Sequence, residues 1–317
     1  MHSVVDFTII VPAKNEAANI GNCLDSIFAI DFDQERYEVL VVDNGSQDQT
    51  VQIAKAMGAT VFEKPDLTIS GLRNFGASQA RGIILVFLDA DCTVEKDWLK
   101  KASEYLAVSE VAAFGSSPIP PQNATWVQNA WFNVRKQKTV LEDVDWLESM
   151  NMFVPREVFA KIGGFDETLI TCEDCELSTR LSKNGRIVSD QRIRAVHHGE
   201  AATLIHFFRK ERWRALSNYD GLQKRLKDIS EWPSVFLPVL QLLLCATSAL
   251  LLCLFVTGYL NPKILISFFL LWQVPIIFLA VWKSLPTKNI LTVLRLFTLL
   301  NMYFFARGCA LFGGGRR

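Results

Sequence analysis

Over its first two thirds the chain alternates short apolar runs with stretches whose apolar residues recur at helical spacing. Segments 7–11 (FTIIV), 37–43 (YEVLVVD), 59–63 (ATVFE) and 83–89 (IILVFLD) read as strands, being short and rich in β-branched residues. Segments 16–29, 47–58 and 69–80 between them carry the helical period. Strands separated by helices imply an α/β fold with a mainly parallel, doubly wound sheet. Ligands on such sheets gather beyond the carboxyl ends of the strands. The polar stretches PAKNE, NGSQD and DAD fall at that edge. This domain is expected to occupy residues 1–228.

The pattern changes at Pro233. Residues 233–260 run without a charge, and 264–282 add a second apolar stretch after the short turn GYLNPK. Roughly 20 apolar helical residues cross a bilayer core, so both segments are expected to span as a hairpin. Basic KRLKD precedes the first and WKSLPTK follows the second, which puts both flanks, and the large domain, in the cytoplasm of a multi-pass inner- or plasma-membrane protein. A third helix, about 289–312, contains Arg295 and Arg307, and fits either a span with snorkelling arginines or a helix lying in the interface. Residues 204–228 interleave Phe207, Phe208, Trp213, Leu216 and Tyr219 with many Lys and Arg, the pattern of a basic amphipathic helix at a membrane surface.

Composition changes this picture little. Lys plus Arg equals Asp plus Glu at 33 each, so net charge gives no footprint for nucleic acid. MHSVVDF lacks the basic region of a signal peptide, and none is expected. Seven cysteines, an odd number spread over polar and apolar segments, argue for a reducing compartment rather than a disulfide framework. Cys172 and Cys175 form a C-x-x-C with no second pair, and packing is its expected use.

The candidate chemistry lies at the strand ends. Asp89 and Asp91 follow an apolar strand directly, and two carboxylates so close are costly unless a cation sits with them. Hard oxygen ligands suit Mg²⁺ or Mn²⁺. Alternatively Asp91 or Thr93 caps a helix beginning near Glu95. Asp43, Asn44 and Asp48 end a second strand around a glycine turn, and Pro12, Asn15 and Glu16 end a third. Three decorated strand ends on one edge exceed what capping needs. Glu173 and Asp174 open an amphipathic helix, where the dipole alone would favour acids.

The segments IIVPAKNEAANI, VLVVDNGSQDQT, GLRNFGASQARGIILVFLDAD, GGFDE and CEDCELSTRL stand in the order and spacing of family 2 glycosyltransferases. Over residues 5–220 the chain resembles that family, with its nucleotide-diphospho-sugar transferase (GT-A) fold, and in particular its membrane-anchored bacterial members that build exopolysaccharides and glycolipids. The resemblance implies sugar transfer from a nucleotide-diphospho-sugar donor with inversion at the anomeric carbon. By position it gives Pro12 and Glu16 to the nucleoside pocket, Asp43 and Asn44 to the base, and Arg73 to the diphosphate. It gives Asp89 and Asp91 to the metal, Asp91 as the more direct ligand, and Asp174 the role of general base, with Glu173 positioning the base or the acceptor. A histidine after the acidic pair is a further metal ligand in some relatives, which marks His197 or His198. Neighbouring strand residues face opposite ways, so at most one of them would reach the site.

Arg212 and Trp213 match the Arg-Trp pair that grips diphosphate and acceptor in processive members of the family, but Arg209 stands where those carry glutamine. A single transfer is therefore expected, to a lipid-linked or membrane-presented glycan acceptor, with membrane lipids as surroundings. A processive synthase and a non-catalytic nucleotide-sugar-binding membrane protein are the alternatives.

Overall fold

The computed structural model describes residues 5–135, 139–216, 232–285 and 289–312. In chain order its elements are β1 (Phe7–Ala13), α1 (Ile20–Phe28), β2 (Tyr37–Asp43), α2 (Thr50–Ala56), β3 (Thr60–Glu63), α3 (Ile69–Gln79), β4 (Ile84–Leu88), β5 (Cys92–Val94), α4 (Trp98–Ala102) and β6 (Val111–Gly115). There follow α5 (Trp126–Arg135), β7 (Leu141–Asp143), β8 (Asn151–Pro155), α6 (Arg156–Lys161), α7 (Glu173–Leu181), β9 (Arg186–Asp190), β10 (Ala195–His197) and α8 (Leu204–Arg214). Three long helices close the chain: α9 (Trp232–Val256), α10 (Pro262–Ser284) and α11 (Ile290–Cys309).

Contacts divide these into two compact units, Met1–Gln122 with Lys136–Gly199, and Asn123–Arg135 with Glu200–Arg317. Helices α5 and α8 thus group with the C-terminal helices, although they lie within the stretch 1–228.

The first unit is built on an eight-stranded sheet in the order β3-β2-β1-β4-β8-β6-β9-β7. Strands β3, β2, β1 and β4 run parallel, as their alternation with helices predicts, while β8 enters antiparallel between β4 and β6. Alternate residues of β1 feed the two faces. Ile9 and Val11 pack with Ile20, Leu24 and Ile27 of α1 and with Trp98, whereas Ile10 packs with Leu72 of α3, Phe87, and Leu177 and Leu181 of α7. Because β1, β2 and β4 end side by side, the loops that follow them share one edge. After β4 the chain turns into β5, and the next helix begins at Trp98, so Asp91 and Thr93 cap no helix near Glu95.

In the second unit Val127, Ala130 and Trp131 of α5 join Phe207 of α8, Ile276 and Ala280 of α10, and Leu296, Leu299 and Leu300 of α11 in one cluster. The Trp131 ring meets Phe207 edge-on at 5.1 Å between centroids. Of the basic stretch 204–228, Leu204–Arg214 is helix, and 217–228 lie outside the described residues. Helices α9 and α10, and α11 with the turn that follows it to Phe312, are each long and apolar enough to cross a membrane.

Candidate active site

The pair quoted as D-x-D stands at the end of β4, and the two carboxylates are held by different means. Asp89 accepts from Arg73 Nη2 at 2.9 Å, while Arg73 Nη1 donates to Glu173 Oε1 at 2.8 Å. Arg73 is 2% exposed, and its guanidinium lies over the Phe165 ring. Sequence reading gave this arginine to a diphosphate. Its two terminal nitrogens meet carboxylates, which ties the strand end to the first turn of α7.

Asp91 faces β10. The antiparallel pairing of β5 with β10 sets His197 opposite Cys92, and His197 Nε2 comes to 3.1 Å from Asp91 Oδ2. His198 turns the other way, its Nε2 2.9 Å from Thr93 Oγ1. The Cys92 thiol donates to Asp91 Oδ1 at 3.8 Å, so the ligand atoms of Asp91, Cys92 and His197 all lie within 4.8 Å of one another. Gly199 completes the setting. A Cβ there would collide with Asp91 Oδ2 and sit 3.3 Å from His197 Nε2, so the carboxylate occupies room that any other residue would fill.

Negative charge accumulates here. Burial raises the Glu16 carboxyl, against the hydrogen bond from Asn19, and Asp91, Asp89 and Asp48 push it further. Burial also drives the Cys23 and Cys92 thiols up, with Asp91 and Asp89 adding to both. The Asp91 carboxylate and His197 imidazole, with the Cys92 sulfur, bring together ligand atoms for a metal ion, and carboxylate oxygen suits Mg²⁺ or Mn²⁺.

Helix α7 begins beside Arg73. Cys172 precedes it in the left-handed region, at φ 63°, an unusual conformation for a residue with a Cβ, which turns the chain so that Glu173 and Asp174 enter the first helical turn. Asp174 Oδ1 accepts from the Cys175 N–H at 2.8 Å. Burial pushes its carboxyl up to about 7, Glu173 and Glu148 add to the shift, and the Cys175 N–H and Arg73 oppose it. Glu148 had no signal in the sequence, since it lies in a loop without motif or period.

The other two strand ends are knitted together. Asn15, at φ 55°, accepts from Gln47 N–H at 2.8 Å, while its own N–H donates to Ser46 Oγ at 2.8 Å. Pro12 is buried in β1, and Glu16 follows with its N–H on Thr50 Oγ1 at 2.8 Å. Asp43 is 1% exposed and accepts from the N–H and hydroxyl of Ser46. Asn44 donates its amide to the carbonyls of Lys64, Pro65 and Leu67 at 3.2, 3.1 and 2.7 Å, and its oxygen accepts from Lys14 Nζ. This amide, expected at the base from sequence, also holds the 64–67 loop. Arg212 and Trp213 stand exposed on α8 in the second unit, Trp213 at 51%.

A mostly parallel sheet whose carboxyl edge carries an Asp-x-Asp pair defines the nucleotide-diphospho-sugar transferase architecture, GT-A. The mannosyltransferase PcManGT of Pyrobaculum calidifontis, solved with GDP-Man and Mn²⁺, superposes with a TM-score of 0.68 at 20% identity, covering 98% of this chain and 88% of that one. Residues 8–163 match the family described as Glycosyl transferase family 2. It is 30% identical over 196 residues to Glycosyltransferase AglE of Haloferax volcanii, covering 58% of this chain and 64% of that protein. It is 28% identical over 195 residues to Beta-monoglucosyldiacylglycerol synthase of Synechocystis sp., covering 55% of this chain and 39% of the relative. The chain thus spans less than two thirds of the length of either curated relative.

Proposed function

We propose that the protein is an inverting, divalent-metal-dependent glycosyltransferase that moves one sugar from a nucleotide-diphospho-sugar to a lipid-linked or membrane-presented acceptor. The observation that carries this reading is the convergence at one sheet edge of the Asp91–His197 pair with Asp174, joined through Asp89, Arg73 and Glu173. A sheet edge dense in carboxylates suits a cation-bridged diphosphate.

In this reading Glu16 and Asp43 bound the nucleoside, and Asp91 and His197 hold Mn²⁺ or Mg²⁺. When bound there, such an ion would neutralise charge on the departing diphosphate. Asp174 takes the proton of the acceptor hydroxyl as that oxygen attacks the anomeric carbon from the face opposite the diphosphate. The new C–O bond forms as the bond to the diphosphate breaks, and the electron pair leaves with the diphosphate. A carboxyl raised to about 7 is a stronger proton acceptor than an ordinary aspartate and is still available near neutral pH. Arg73 keeps Glu173 and Asp89 in register so that base and metal pair act on one donor.

The names of the relatives support donor and acceptor classes: GDP-Man with Mn²⁺ for PcManGT, a diacylglycerol for the Synechocystis synthase. Helices α9 and α10 would hold the enzyme in the inner or plasma membrane, with the sheet domain on the cytoplasmic side by the basic flanks. Such anchoring confines enzyme and lipid acceptor to one plane.

The test uses the full chain in detergent with a panel of nucleotide-sugars and Mn²⁺ or Mg²⁺, measuring nucleoside diphosphate release with and without a membrane lipid extract. Metal-dependent release for one donor that rises with lipid, and is lost in Asp91→Ala, is expected. Nucleotide binding with no release for any donor or extract would overturn the enzymatic reading.

A further inference from the structure

Length and composition make α11 a candidate span, yet its contacts describe a different course. Three helices meet at Gln241 of α9. Its Nε2 donates to Asn301 Oδ1 of α11 at 3.1 Å, and its Oε1 accepts from Trp272 Nε1 of α10 at 3.1 Å. Further along α11, Gly308 lies so close to α9 that a Cβ would come 2.5 Å from the Pro238 carbonyl oxygen and 3.1 Å from Leu242 Cβ. Towards its start, Leu296, Leu299 and Leu300 share a cluster with Ile276 and Ala280 in the second half of α10. The contacts with α11 itself fall on Pro238, Gln241 and Leu242 in the first half of α9 and on Ile276 and Ala280 in the second half of α10, towards the base of the hairpin. Beyond them α9 runs on from Leu242 to Val256, about 20 Å at the helical rise.

The end of α10, which leads into α11, and the end of α11 return to the same pair of helices. Just before it, at the end of α10, Lys283 Nζ donates to the Val134 carbonyl of α5 at 3.1 Å. Near its own end, Arg307 Nε donates to Glu211 Oε2 of α8 at 3.2 Å, and Glu211 is fully buried. Helices α5 and α8 are packed on each other through Trp131 and Phe207. Arg209, Lys210, Arg212 and Arg214 bar α8 from a hydrocarbon layer. A helix that crosses a bilayer must part its ends by about 30 Å, on opposite sides. Here the end of α10 that leads into α11 and the end of α11 dock on one side of the hairpin.

We propose that α11 lies in the plane of the membrane interface, on the side of the hairpin that carries α5 and α8. Its partner is the lipid layer of that leaflet. The reading of α9 and α10 as two crossings underlies this placement. The face of α11 turned away from the hairpin base carries Ile290 and Leu294, 72% and 55% exposed, beside the exposed Arg295. The apolar pair suits the upper acyl chains, and Arg295 reaches lipid phosphates.

Topology reporters on the full chain separate this from the spanning alternative. Alkaline phosphatase, active only outside the cytoplasm, and a fluorescent protein, bright only inside, are inserted after Gly258 or fused after Arg317. A hairpin tip outside and a C-terminus inside are expected. Tip and C-terminus both outside would mean that α11 crosses, which overturns the inference and leaves the hairpin standing. A tip inside would withdraw the crossings and the in-plane helix together. Depth is read from Leu294→Trp in vesicles of phospholipid brominated high on the acyl chain. Quenching beyond that of the parent, with its eight native tryptophans, is expected, and equal quenching overturns the lipid contact.

Discussion

Asp89 and Glu173 share one guanidinium: Arg73 reaches the first at 2.9 Å and the second at 2.8 Å. A strand end and a helix start from distant parts of the chain are therefore clamped by a single buried cation. Replacing Arg73 with Ala leaves two carboxylates facing each other, and removing one partner of a buried pair costs about 3–5 kcal/mol. Arg73→Ala should melt markedly lower by calorimetry. Arg73→Lys, one point charge in place of a fork, should recover part of the stability and little of the turnover.

The pH dependence follows from Asp174. Its folded carboxyl is raised to about 7, above its value in the unfolded chain, so the folded state retains this proton where the unfolded state has lost it. Its contribution to stability is fully present below the unfolded value and is lost as pH rises to about 7. The sign for activity is opposite, since the base must be ionised: kcat/KM should climb through pH 6–8, about tenfold per unit on the acid limb. Asp174→Asn should abolish transfer while keeping nucleotide affinity, and should remove this stability slope between about pH 4 and 7. A wild-type rate flat across that range would disprove the assignment.

Gly199 matters for what it lacks. Gly199→Ala puts a methyl into the space of Asp91 Oδ2. Because the neighbouring strand pairing is untouched, the expected result is a nearly unchanged melting temperature with Mn²⁺ affinity weakened about 10-fold or more by titration calorimetry. The magnitude follows what displaced partners of metal ligands usually cost.

Asn44 tests a different kind of use. Its amide donates to three carbonyls of the 64–67 loop, and Asn44→Asp would turn a carboxylate towards them. The loss of these donors should destabilise the protein by about 1–3 kcal/mol, offset in part by Lys14. Denaturant unfolding at constant m-value is the measurement. An unchanged midpoint would mean that the loop is held elsewhere.

The sheet and its decorated edge were legible because two periodicities, one of strands and one of helices, are written plainly between residues 7 and 89. Alternation told that His197 and His198 face opposite ways, but which one meets Asp91 depends on the register of β5 against β10, a long-range fact. Arg73 and Asn44 show the same limit: sequence names a donor without its acceptors. The motif put both near a ligand, and the fold supplies the protein groups that both also meet. Cys92 and Glu148 approach the site through pairing and loop packing that no local pattern encodes. Membership of α5 was hidden for a similar reason, since the partners of Trp131 come much later in the chain.

That last relationship bears on how the protein is made and handled. Helix α5 is synthesised before β7, β8 and β9, yet its apolar face is covered by Phe207, Ile276, Ala280 and the leucines of α11. During translation the face has no cover until those later residues have been made. A fragment cut at the apparent domain boundary would keep Trp131 and Val127 without their cover, and would be expected to associate with itself or with detergent. The C-terminal helices are thus part of what covers the apolar face of α5.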